Sequence, residues 1–184
     1  MMDQKEPTKR EQAKRAKRQL IVRCAMTCFI ENGIAQTGIR DIADRAQISL
    51  GNLYNHFASK DELIAEIAQI EAADLTRLIA DVTAGLAFED FIPHYLEQVA
   101  TPEHAILSIE ILAAALRQPA LAKPFDANRK TLINALSAHT KAKPAEIEMI
   151  LDAVEALGMR CGLAQRKPKR AEIEGLRKMT AALA

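Results

Sequence analysis

Apolar residues recur with a period near 3.6 along most of the chain. Ile21, Cys24, Ala25, Cys28 and Phe29 fall at i, i+3, i+4, i+7 and i+8, the buried stripe of an amphipathic helix. Asn32-Gly33 ends it, with Gly33 suited to the left-handed position that follows a helix. The segment before about Lys9 is charged and weakly apolar, so the helix is expected to begin there, after a frayed start. A second short stripe, Ile39, Ile42, Ala43 and Ala46, has Thr37 as its expected N-cap. Gln47-Ile48-Ser49 makes a tight turn, and Ser49 is placed to cap a third short helix from Leu50 to His56. Ser59 and Glu62 have the spacing of a capping box for a long fourth helix, which directs Leu63, Ile67, Ile70, Leu78 and Val82 toward a core.

Beyond Gly85 the pattern predicts helices at about 88–99, 102–117, 125–140, 145–165 and 170–182, with Pro102 and Pro144 in first turns. No segment alternates apolar and polar residues long enough to be a strand, so the fold class is all-α. The stretch Ala105–Leu116 is apolar nearly all round, the pattern of a helix buried on every side.

Composition agrees with this reading: the 184 residues are 49% hydrophobic and 27% charged, with seven Gly, seven Pro and no Trp. No apolar run is long enough to span a bilayer and the N-terminus is charged, so the expectation is a cytoplasmic protein with no membrane partner. Cys24, Cys28 and Cys161 are odd in number and are expected to be reduced. Cys24 and Cys28 share a helical face but lack the further ligands a metal needs, and the histidines show no motif spacing; no metal, cofactor or catalytic site is expected. The net charge of +1 conceals an asymmetry. Residues 1–60 carry 11 Lys or Arg against 6 Asp or Glu, and the remainder carries 14 against 18. A basic N-terminal third implies a polyanionic partner at that end.

A short helix, a tight turn and a second helix with exposed polar residues are the parts of a helix-turn-helix, and TGIRDIADRAQISLGNLYNHFASKDEL supplies them in order. Ile42, Ala43, Ile48 and Leu53 form its small core, leaving Arg40, Leu50, Gly51, Asn52, Asn55 and His56 facing outward. Asn52 or Asn55 has the amide geometry for adenine, whereas Leu50 suits only a thymine methyl. Gly51 lets the helix approach the DNA backbone. Lys60, in the first turn of its helix, opposes that helix's dipole unless an anion lies nearby. Thr37 and Ser49, at the starts of the two helices, complete the candidate DNA-facing set. The basic run Lys9, Arg10, Lys14, Arg15, Lys17 and Arg18 is either a solubilising face or an arm that adds phosphate contacts.

These residues resemble the N-terminal domain of the TetR family of repressors, over about residues 18–65. The resemblance rests on Asp41-Ile42-Ala43, Gly51-Asn52-Leu53-Tyr54, the Tyr54-x-His56-Phe57 cluster and Ser59-Lys60. It implies that the helix from Leu50 to His56 lies in the major groove, that Tyr54, His56 and Lys60 hold phosphates, and that Arg40 reaches a base or the backbone. Gln47 and Gly38 depart from the family, which commonly has Gly and a second Thr there. The implied organisation is a DNA-binding domain over residues 1–60 and a helical effector-binding and dimerisation domain over 61–184. The partners implied are double-stranded operator DNA, a second copy of the chain and a small-molecule effector. The rival is a DNA-binding adaptor or architectural protein without an effector.

In the C-terminal region Glu110 interrupts an apolar helix, where it either pairs with an internal Arg or lines an effector pocket with His94, Tyr95 and His104. The helix starting near 145 has one stripe through Ile147, Ile150, Val154 and Cys161 and a second flank through Met149, Ala153, Ala156 and Leu163. The small residues Ala153, Ala156 and Gly158, with Leu157, are the expected dimer contacts, since the resemblance implies that the last two long helices pair between subunits.

Overall fold

Helix caps and the 3.6-residue period fix the local structure closely. The computed structural model describes residues 8–181; the expected frayed start, residues 1–7, lies outside them. Among the described residues the elements are α1 (Lys9–Asn32), α2 (Ile39–Arg45), α3 (Leu50–Tyr54), α4 (Lys60–Thr83), α5 (Phe88–Val99), α6 (Pro102–Arg117), a 3-10 turn (Pro119–Leu121), α7 (Lys123–His139), α8 (Pro144–Leu163) and α9 (Arg170–Ala181). The chain divides into two compact units, residues 1–67 and 68–184. The division falls inside α4 rather than at residue 60, because Leu63, Ile64 and Ile67 are buried on the side of the first unit. No single helix among the described residues is long and apolar enough to cross a membrane.

In the first unit α1 packs on α2 and α2 on α3. The buried set comprises Ile21, Val22, Ala25 and Phe29 from α1, Ile42 and Ala43 from α2, Leu53 from α3 and then Phe57. Gly33 caps α1 at φ 80°, and its amide donates to the Phe29 carbonyl at 2.9 Å. The N-cap of α2 is Gly38, not Thr37: the Gly38 amide donates to Asp41 Oδ2 at 2.7 Å. Ser49 caps α3 as expected, accepting from the Asn52 amide at 3.2 Å. The α4 box is incomplete, since Ser59 Oγ accepts from the Glu62 amide but the Glu62 carboxylate turns to the Ala58 amide at 2.7 Å.

In the second unit α5, α7, α8 and α9 surround one core that includes Phe91, Ile92, Leu96, Leu132, Leu136 and Leu151. The first stripe of α8 is buried throughout. Gly158 and Gly162, one turn apart on α8, face the corner between α5 and α6. A Cβ on Gly158 would lie 2.5 Å from Val99 Cγ2 and 2.9 Å from the Val99 carbonyl oxygen; one on Gly162 would lie 2.5 Å from the Thr101 oxygen. Gly158 and Leu157 are therefore buried within their own chain, which corrects their assignment to a dimer contact. Two further expectations fail. Ile70 is exposed, and α6 is bare on one face, with Leu112 58% and Leu116 88% exposed, because only its Ala105, Leu107 and Ile111 side meets the bundle.

Gly158→Ala places its methyl against backbone as well as Val99, so the clash should outweigh the helix-propensity gain of about 1 kcal/mol and destabilise by about 1–3 kcal/mol. Gly175→Ala on α9, with open space at its Cβ, should instead stabilise by about 0.5–1 kcal/mol. Denaturant unfolding of both variants checks the pair.

Candidate nucleic-acid interface

The tight turn before α3 needs a left-handed residue, and Gln47 supplies it at φ 54°, a strain of about 1–2 kcal/mol for a residue with a Cβ. The turn closes with the Ile48 amide on the Ala43 carbonyl at 3.0 Å. Inside this frame Leu53 is fully buried, while Gly51, Asn52, Tyr54 and Asn55 are exposed and Leu50 and His56 half-exposed. α3 ends at Tyr54, so Asn55 and His56 lie just past the helix rather than in it. Arg40 is exposed on α2, and nothing lies within 4 Å of a Cβ on Gly51, leaving room for a close approach.

Two candidate DNA contacts turn inward. Thr37 is 2% exposed, and its hydroxyl donates to the carbonyls of Gly33 at 2.8 Å and Cys28 at 3.1 Å, so it ties the end of α1 to the following loop. Lys60 Nζ donates to the carbonyls of Ile34 at 2.5 Å and Thr37 at 3.0 Å. Those carbonyl dipoles supply the negative partner its first-turn position requires, without a phosphate.

The residue whose role the sequence concealed is Arg18. Its guanidinium donates to the His56 carbonyl at 2.5 Å, to Glu66 at 2.7 Å and to Glu62 at 3.3 Å, and lies 4.0 Å from the centroid of the Phe57 ring. The Glu66 hydrogen bond, then the charges of Glu66 and Glu62, raise its pKa against the cost of burial. One signal was available: Arg18 precedes Ile21 by three and Ala25 by seven, so it continues the buried stripe of α1. The His56 imidazole is held below its ordinary range by burial first and then by the positive charges of Lys14, Arg18 and Lys17.

In the second unit, the four effector candidates do not share one lining. His94 is exposed, with Nδ1 2.9 Å from the Asp90 carbonyl oxygen, while its neighbour Tyr95 is buried and donates to Glu155 Oε1 at 2.7 Å. His94 and Tyr95 point about 100° apart around the helix, as successive residues on a helix must, so one faces water and the other the core. His104 and Glu110 are half-buried on α6, and burial lowers the His104 pKa. The polar cluster that forms instead has Arg129 donating to Glu155 at 2.7 Å and Asp152 at 2.5 Å. Asn128 bridges the Ala68 carbonyl and Glu71, each at 2.8 Å. Burial raises the Glu71 and Tyr95 pKa values. On α8, Ala153 is half-buried and Ala156 exposed.

Residues 21–67 match the family model described as bacterial regulatory proteins, tetR family. Over these residues the N-terminal unit is similar to the TetR family. Its match includes the Ser49-capped α3 and the turn in which Gln47 adopts the left-handed conformation. The HTH-type transcriptional repressor Rv3405c of Mycobacterium tuberculosis is 39% identical over 75 residues, 41% of this chain and 38% of that protein, so the match spans well under half of the relative. In fold the whole chain is similar to Salmonella enterica GusR, with a TM-score of 0.76 at 22% identity over 91% of this chain and 95% of that one. It is also similar to the multidrug binding protein EbrR complexed with imidazole, at 0.70 and 22% over 91% and 95%.

Arg18→Met keeps the stem of the side chain and removes its hydrogen bonds. With two carboxylates left partly buried, the first unit should lose about 1.5–3 kcal/mol, read as an earlier unfolding of α1 by amide hydrogen exchange.

Proposed function

We propose that the chain is a transcriptional repressor that binds an inverted-repeat operator as a homodimer and is released by a small molecule held in residues 68–184. The observation that carries this reading is the α3 surface: a helix fixed from beneath by Leu53 and capped by Ser49 presents Leu50, Gly51, Asn52, Tyr54 and Asn55 outward. Asn52 and Asn55 are the base-reading candidates, and Tyr54, His56 and Arg40 the backbone contacts. The TetR-family match and the repressor among the relatives support the regulatory role.

A five-residue helix reads few base pairs, so specificity calls for two copies on successive major grooves. The second copy is assigned to the bare flank of α8, where Met149 (68% exposed), Ala156 and Leu163 (60% exposed) recur at seven-residue intervals, with Ala153 at its edge. Such a stripe is costly to leave in water. For the effector, the half-buried Glu71, Arg129 and Glu155 around the buried Tyr95 offer polar groups at the edge of an apolar core. The EbrR neighbour, complexed with imidazole, shows that a protein of this fold holds a small molecule. α4 begins in the first unit and ends in the second, so it is the element a ligand would bias. The ligand can act only through its difference in affinity between two states, and about 1–3 kcal/mol gives roughly 5- to 150-fold release.

Selection from a random duplex library followed by footprinting should return an inverted repeat; recovery of non-specific binding alone would refute operator recognition. Asn52→Ala should relax preference at one position by about 1–3 kcal/mol, whereas Tyr54→Ala should weaken all sequences alike. Met149→Glu with Leu163→Glu should give a folded monomer in sedimentation and abolish operator binding; a persistent dimer places the interface elsewhere. If no member of a broad library both shifts the melting temperature and releases the operator, the adaptor reading replaces the ligand-responsive one.

A further inference from the structure

α1 starts at Lys9, and every residue from Lys9 to Ala16 is exposed, so about two turns of helix stand clear of the core before the half-buried Lys17 and Arg18. They are closed at the start by a complete capping box: Thr8 Oγ1 accepts from the Glu11 amide, and the Thr8 amide donates to Glu11 at 2.7 Å. Packing does not account for this extension, and neither does charge balance. It carries Lys9, Arg10, Lys14, Arg15 and Lys17 against Glu11, whose carboxylate is occupied by the cap. No ion pair involves Lys14 or Lys17 among the described residues.

Arg18 fixes which way this extension faces. Its guanidinium sits on the His56 carbonyl, directly past α3. Lys14 precedes Arg18 by four residues, one turn back on the same face, and Lys17 adjoins it. The face of α1 that carries Lys14 and Arg18 is therefore the one that meets the residues just past α3. The His56 imidazole registers both lysines independently: burial first, then the positive charges of Lys14, Arg18 and Lys17, lowers its pKa. Arg18 is answered by Glu62 and Glu66, which leaves the charges of Lys14 and Lys17, in no ion pair among the described residues, open to an external anion.

We infer that the exposed first half of α1 is a second DNA-contacting element, in which Lys14 and Lys17 follow the phosphates of duplex DNA flanking the stretch read by α3. This rests on the DNA-binding reading above and extends it from the helix-turn-helix to a preceding helix. The contacts are to backbone alone, so they add affinity and salt dependence without base preference. Arg18, although part of the same basic run, takes no part, because its donors are committed within the unit.

The test uses the full chain, the selected operator and a random-sequence duplex, with binding measured by fluorescence anisotropy across a salt series. Each phosphate contact contributes about 0.9 to the slope of log K against log salt. The Lys14→Gln, Lys17→Gln double variant should thus bind both duplexes with a slope shallower by about 1.8, with base preference unchanged. Lys141→Gln, in the loop before α8, should leave the slope as in the wild type. In the free double variant the His56 pKa, followed by NMR, should rise toward its ordinary range, showing that the two lysines face it. A double variant that keeps both the fold and the wild-type slope overturns the inference while DNA binding stands. A wild-type chain that binds neither duplex overturns the DNA-binding reading itself, and this extension with it.

Discussion

The geometry of the N-terminal unit depends on one guanidinium. Arg18 is the point at which α1, the residues following α3 and the first turns of α4 are joined, through the His56 carbonyl, the Phe57 ring, and Glu62 and Glu66. A planar fork with several donors can satisfy a carbonyl and two carboxylates at once, which an ammonium on a flexible stem would do less well. The arrangement leaves α3 only a small angular freedom, and a helix of five residues has no length of its own with which to hold an orientation.

Lys60 and Thr37 continue this work on the other side. Both donate to carbonyls around the end of α1, so the loop between α1 and α2 is bound from two directions. Polar side chains that could have met DNA phosphates instead stabilise the platform that carries the exposed ones. The division of labour is physical: residues with partners inside the unit set position, and those without, Arg40, Asn52, Tyr54 and Asn55, remain available at the surface.

In the C-terminal unit the corresponding constraint is close packing. Gly158 and Gly162 let α8 lie against the α5–α6 corner at a distance that no side chain allows. This commits one face of α8 to the interior and leaves Met149, Ala156 and Leu163 on the other. The buried Tyr95 meets the half-buried Glu155, which Arg129 also holds, so the one polar group lost from water there keeps a partner.

The sequence by itself determined the helices, most of their ends and the helix-turn-helix. These are local: Ser49 finds its amide three residues away, Gly33 closes the helix it follows, and a 3.6 period shows which residues share a stripe. Tertiary structure alone decided which neighbour each stripe met. Arg18 read as one more cation in a basic run, Gly158 as a residue for a partner, and α6 as buried on every side. A long side chain such as Arg18 or Lys60 can swing its charged end toward water or toward a carbonyl from the same Cα. A small residue between two apolar flanks fits either one. Only the positions of His56, Ile34 and Val99, brought close by segments distant in the chain, made the choice.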